Sequence, residues 1–169
     1  LTIGITFSVF LVFYVKDELS YDKYNVNADR ICRIDAYVKE PEKDTMKWAI
    51  TPFPMAPALS KDYPEVEEAV RIWDNGKTMF KNGNQRFYEQ KVFYADSNIF
   101  RVFTHRFIAG NPQTALVAPN SLVLTQSIAK KYFGNINCIG KTLENANGDI
   151  YKVTAVIKDV PKNSHLIFN

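Results

Sequence analysis

The hydrophobic pattern of this chain begins without a polar stripe. Leu1 to Val15 carries no charged residue, and Lys16-Asp17-Glu18 follows at once. Apolar side chains fall on every face of a helix drawn through the run, whereas a core helix keeps one polar side, so the pattern points to lipid. At about 1.5 Å per residue the run spans about 22 Å, short of a roughly 30 Å hydrocarbon core. The expectation is a sequence that enters partway through a transmembrane helix. A buried element of a soluble core is the competing reading. Phe13-Tyr14-Val15-Lys16 offers no small-x-small cleavage site of a secretory signal. Lys16 to Tyr24 lacks Pro and Gly. The helix is therefore expected to continue outward by about two or three turns as a stiff stalk. Asn25-Val26-Asn27-Ala28-Asp29 then favours turns.

Beyond the stalk the period changes. Ile31 to Val38 reads as a strand with Ile34, Ala36 and Val38 on one face. Pro54 can open a helix through Met55, Ala58, Leu59 and Asp62, which Pro64 stops. Val66 to Trp73 reads as the next strand, making Ile31–Trp73 a split βαβ-like unit. Lys77–Lys81 and Arg86–Tyr94 are strand-like and joined by Asn82-Gly83-Asn84-Gln85, which suits a hairpin. Asp96 is placed to cap a short helix carrying Ile99, Phe100 and Phe103. Gly110-Asn111-Pro112 is a turn. Ser121–Leu124 is a short strand. Thr125 caps a helix that Gly134 closes, with Ile128, Ala129, Tyr132 and Phe133 inward and Lys130 and Lys131 in water. Thr142-Leu143, the Asn147-Gly148-Asp149 turn and Ile150–Lys158 complete a closing hairpin.

Composition narrows the classes. Outside the apolar run about 150 residues remain, enough for one domain or two small lobes, and twelve Phe with nine Tyr give ample burial potential. The net charge is +3 with acids and bases interleaved, so no basic footprint for nucleic acid stands out. Cys32 and Cys138 are too few and too far apart for a zinc site or disulfide framework; two unpaired, mostly buried thiols are expected.

Candidate chemistry is sparse. His105 and His165 stand sixty positions apart without a Cys or carboxylate pattern, and each reads as a surface or satisfied histidine. Glu65, Glu67 and Glu68 lie where a strand begins, and Glu67 and Glu68 would point to its opposite faces and so form no carboxylate pair. Ser121 and Ser127 lack a nucleophile-elbow context. Gly134-Asn135-Ile136-Asn137-Cys138-Ile139-Gly140-Lys141-Thr142 spells a phosphate-binding loop, but a helix precedes it and a poor helix former follows, so the match reads as chance. No catalytic, cofactor-binding or metal residue is assigned, no cofactor is expected, and substrate-binding residues are left open.

Several stretches, in order, resemble one family. Asp17-Glu18-Leu19-Ser20-Tyr21-Asp22-Lys23-Tyr24 with Asn27-Ala28-Asp29-Arg30-Ile31 resembles the segment after the first membrane helix of MacB/FtsX-type ABC transporter permeases. Asp96–Phe103 with Gly110-Asn111-Pro112, Leu122–Gly134 with Ile139–Leu143, and Tyr151–Val156 with Val160–Leu166 are similar to later parts of the same extracytoplasmic domain. Cys32, where the family commonly has Tyr, and Cys138, where it has Pro, depart from the pattern.

The resemblance implies an α+β fold, a MacB-like periplasmic core with a partial porter-like βαβ lobe and an inserted β-rich, Sabre-like lobe. The expected division is residues 1–24 for the membrane helix end and stalk, 25–75 for the first half of the porter-like lobe, 76–158 for the insertion and 159–169 for the return. It implies a non-enzymatic domain on the periplasmic side of a bacterial inner membrane. Its implied partners are a cytoplasmic ABC ATPase subunit, a second permease copy and a periplasmic adaptor or other envelope protein. The membrane is engaged through the N-terminal helix. Coupling of ATP hydrolysis to export or envelope work by mechanotransmission is the implied function; the alternative is an extracytoplasmic small-ligand sensor. The apolar ending His165-Leu166-Ile167-Phe168-Asn169 leads to the further expectation that a second βαβ unit and membrane helix follow, leaving the lobe of Ile31–Trp73 the less complete one.

Overall fold

The computed structural model describes residues 2–39, 41 and 44–168. Leu1 and Asn169, the ends of the apolar run and of the apolar tail, lie outside the described residues. Helix α1 (Thr2–Glu18) is apolar all round and buries none of its residues. It stops at Glu18, so the expected continuation to Tyr24 is not formed. Turns occupy residues 19–24, and Asp22 adopts φ +56°. The left-handed residue redirects the chain, and side-chain partners described below hold it there.

Strand β1 (Ala36–Val38) pairs antiparallel with β2 (Met46–Trp48), an element the sequence pattern did not reveal. Helix α2 (Met55–Asp62) follows, with Pro54 at its N-cap. Strand β3 (Ile72–Asp74) pairs with β6 (Phe93–Ala95) instead of β1. The strand, helix, strand order of residues 31–74 is therefore present without the shared sheet of a βαβ unit. Both expected strands are shortened, and among the described residues none from 26 to 79 is buried. Without a buried face little fixes their pairing partner.

The core lies in a six-stranded sheet. Strands β4 (Thr78–Asn82) and β5 (Gln85–Glu89) form the expected hairpin, turning through Gly83 at φ +56°. After helix α3 (Ile99–Val102) come β7 (Phe107–Ala109), β8 (Ser121–Thr125), helix α4 (Gln126–Phe133), β9 (Thr142–Asn145) and β10 (Ile150–Ile157). The order is β5-β4-β9-β10-β7, with β8 parallel to β10. A parallel pair with an intervening helix thus occurs between β8 and β10, which together bury most of their apolar side chains in the core. Val153, Ala155, Val156 and Ile157 are fully buried, and Val153 and Val156 share one cluster with Leu143, Leu124, Ala129 and Tyr132. Gly110, at φ +91°, lets the chain cross β10: a Cβ there would sit 2.6 Å from Ala155 Cβ and Thr154 O.

Polar details differ from expectation in four places. Asp96 does not cap α3, whose N-cap is Asn98; its carboxylate binds the Arg71 guanidinium through both oxygens, at 2.7 and 2.9 Å. Thr125 makes no side-chain cap bond, and Asp159 accepts from Ser127 N at 3.0 Å and Ser127 Oγ at 2.7 Å instead. Lys131 does not simply face water. Its Nζ lies 2.7 Å from the buried Glu89 carboxylate, which also accepts from Tyr132 OH at 2.8 Å. Cys138 is buried as expected, but Cys32 is exposed, because its segment has no core to enter; neither is in a disulfide.

Candidate functional site

The residues singled out for chemistry do not converge. Glu67 pairs with Arg30, while Glu68 accepts from Asn98 Nδ2 at 2.7 Å and Arg101 Nη1 at 3.0 Å. Among the described residues no group of three His, Cys, Asp or Glu is arranged to hold a metal. Gly140-Lys141-Thr142 leads into strand β9, so no helix N-terminus follows it, and the Lys141 ammonium rests 5.1 Å from the Phe133 ring centroid. The amide dipoles that hold a phosphate are thus not presented there.

His105 and His165 have separate fates. His105 is enclosed by rings, with centroids 5.7 Å from Phe100 and 5.1 Å from Phe168. Burial pushes its pKa down to about 4, and its Nε2 has no hydrogen-bond partner among the described residues. His165 is exposed and belongs to a polar assembly that joins the two ends of the chain.

That assembly lies where α1 enters the folded region. Asp22 N donates to Asn163 O at 2.9 Å, and Asn163 Nδ2 donates back to Ser20 O at 3.1 Å. The Asp22 carboxylate accepts from Ser164 Oγ at 3.0 Å, His165 N at 3.1 Å and His165 Nδ1 at 2.7 Å. The Ser164 hydroxyl, 2% exposed, also lies 2.9 Å from Tyr24 OH. The Tyr21 and His165 rings lie against each other at a 51° tilt, with centroids 4.8 Å apart. Burial pushes the Asp22 carboxyl up, but the bonds from the His165 side chain and backbone and from Ser164 outweigh it and hold it below its ordinary value. Each bond contributes about 1 kcal/mol net, and the exposed contact between the His165 ring and Asp22 adds little alone. Their number makes the junction a latch between segments about 140 positions apart.

The sequence reading missed this meeting. Its available signal was compositional: Ser20, Asp22 and Asn25 favour turns, and Asn163-Ser164-His165 is a polar patch inside an apolar tail. Both segments belong to stretches that carried the family resemblance.

Two concave regions stand out besides the latch. One runs along α1 beside Leu11, Val15 and Leu19. The other is an open cleft of about 350 Å³ with a largely polar lining that includes Asn75, Lys77, Thr78 and Asn147. It lacks the enclosed apolar form expected of a small-ligand sensor pocket.

Comparison with known proteins gives the class. The family described as MacB-like periplasmic core domain matches residues 1–168, and this chain belongs to that family. The class is the periplasmic domain of MacB/FtsX-like ABC transporter permeases, a transporter class and not a catalytic one. The fold is similar to a domain of a putative permease protein from Porphyromonas gingivalis, with TM-score 0.64 and 24% identity over 72% of this chain and 52% of that one. The periplasmic region of MacB from Actinobacillus actinomycetemcomitans aligns at TM-score 0.47 and 21% identity, covering 62% and 49%. The extracellular domain of the noncanonic ABC-type transporter YknZ from Gram-positive bacteria aligns at 0.43 and 15%, covering 53% and 49%. The chain spans about half the length of these solved structures. No curated protein sequence matches it.

Proposed function

We propose that this chain is the extracytoplasmic domain through which an ABC permease turns ATP hydrolysis on a cytoplasmic ATPase partner into movement outside a bacterial inner membrane. The family supports the setting. The observation that carries the coupling is the junction: a helix apolar on all sides, with no residue buried, enters the domain through a latch and not a loose linker. Among the described residues no helix is long and apolar enough to cross a membrane; in this reading α1 is the outer part of a longer membrane helix. Its backbone hydrogen bonds make it a stiff lever, and the latch keeps the joint at Glu18–Asp22 from absorbing its motion. The work is a rigid-body or hinge movement, with no bond chemistry in this domain. A second permease copy and an adaptor or other envelope protein are the partners of this reading, and residues 25–75, with the return segment, form its porter-like part.

The test is insertion of Gly-Gly between Lys16 and Asp17, inside the last turn of α1, in the full-length permease with its ATPase. Each Gly costs about 1 kcal/mol in a helical position and adds a soft joint. ATP hydrolysis should persist while the transport-dependent phenotype is lost. Unchanged transport would show that the segment is only a tether.

A further inference from the structure

The latch is not the only tie between the α1 exit and the sheet. Asn25, 4% exposed, lies one turn past Asp22 and uses both ends of its amide. Its Nδ2 donates to Asp22 O at 3.0 Å, and its Oδ1 accepts from Thr104 N at 2.9 Å. Val26 N donates in turn to Thr104 Oγ1 at 2.9 Å. Thr104 sits between α3 and β7, nearly eighty positions away. The next residue, His105, is packed against Phe168 on the segment that holds the latch. Both ties therefore reach the same loop, one through Asn25 and one through residues 163–168.

That loop feeds directly into the sheet. Phe100 packs edge-on against Phe107 at 4.9 Å, and Lys158 N donates to Arg106 O at 2.8 Å. Strand β7 is an end strand of the ordered path and pairs with β10, the strand that holds most of the core. A single-point attachment would let the domain pivot about Asp22. A second attachment, made to Thr104 and not to residues 163–165, resists rotation as well as translation.

We infer that Asn25 and Thr104 are positioning residues, forming a second tie that makes the six-stranded sheet turn with α1 instead of swivelling on the Asp22 latch. This inference rests on the coupling reading above and specifies where motion enters the domain. A half-formed buried amide would be costly, so Asn25 is held by both partners or by neither.

The experiment uses the full-length permease with its ATPase in lipid vesicles. A dye is placed at Lys130→Cys, on the exposed face of α4, in a Cys32→Ser background, and energy transfer to a dye at the bilayer surface is read with and without ATP. Cys138 is fully buried and does not compete for label. The permease without further substitution should show an ATP-dependent change in transfer. Asn25→Ala and Thr104→Val should each reduce that change by about threefold or more while the thermal midpoint holds and ATP is still hydrolysed. Thr104→Ser, which keeps the hydroxyl, should restore it; a merely structural role would not separate Ser from Val in this way. If Asn25→Ala does not fold, Thr104→Val with its Ser rescue decides the matter. An ATP-dependent change that is undiminished in the folded variants overturns the second tie and leaves the coupling reading standing. No ATP-dependent change before either substitution overturns the coupling reading, and this inference with it.

Discussion

His105 illustrates how one residue reports on its surroundings. A neutral imidazole between Phe100 and Phe168 gains packing but loses the water that would stabilise its charged form. Its pKa falls to about 4 from an ordinary 6.5. The folded state therefore resists protonation that the unfolded state accepts as pH drops below about 6.5. Stability should be level above that pH and decline as pH falls toward 4, by about 2–3 kcal/mol in total. Denaturant unfolding at pH 7.5, 5.5 and 4.5 measures this, and His105→Phe should flatten the slope. Asp22 acts in a different window: its lowered carboxyl stabilises the fold at ordinary pH and gives up that contribution only below about pH 4. A slope that survived His105→Phe between pH 6.5 and 4.5 would place its origin elsewhere.

At the scale of elements, α4 shows how a helix is held on two sides. Ile128, Ala129 and Tyr132 enter the core at helical spacing, and Gly134 ends the helix at φ +72°. On the flank, Lys131 bonds Glu89 while its ammonium lies 4.9 Å from the Phe87 ring centroid. This ties α4 to β5, a strand that among the described residues pairs with β4 alone. Burial pushes the Tyr132 hydroxyl pKa up, and the Glu89 carboxylate adds to the rise, so the phenol stays a donor. Lys131→Met should cost about 2 kcal/mol, less than the roughly 3–5 kcal/mol of a fully buried pair, because the lysine keeps some water. Thermal unfolding checks this, and Glu89→Gln in the same background should recover part of the loss. A neutral Lys131→Met would mean that the carboxylate finds water once the ammonium is gone.

Across the whole molecule, order is unevenly distributed. Phe80, Leu143 and the fully buried part of β10 share one core with α4 and β8, whereas the described residues from 26 to 79 bury nothing. Local opening follows burial, so amides of β1, β2 and β3 in this chain, held in detergent, should exchange about a hundredfold faster than those of β8 and β10. Mass-spectrometric hydrogen exchange would resolve the two sets. Equal protection would mean that residues 26–79 share the core's cooperative unfolding.

The sequence by itself determined the elements whose signal is local. The apolar run of α1, the Asn82–Gln85 hairpin, the α4 helix with its Gly134 stop and the β9–β10 hairpin all follow from periodicity and turn chemistry within a few residues. The family was also legible, because its motifs lie in order along the chain. Tertiary structure alone decided which strands pair, since β1, β2 and β3 carry too little buried surface to specify a partner by pattern. It alone decided that Asp96 binds Arg71, that Asp159 caps α4, and that Lys131 turns to Glu89. The candidate site was hidden for the same reason. Asp22, Ser164 and His165 are ordinary turn and surface residues until folding brings together segments about 140 positions apart, and a hydrogen bond depends on a distance in space that no spacing along the chain encodes.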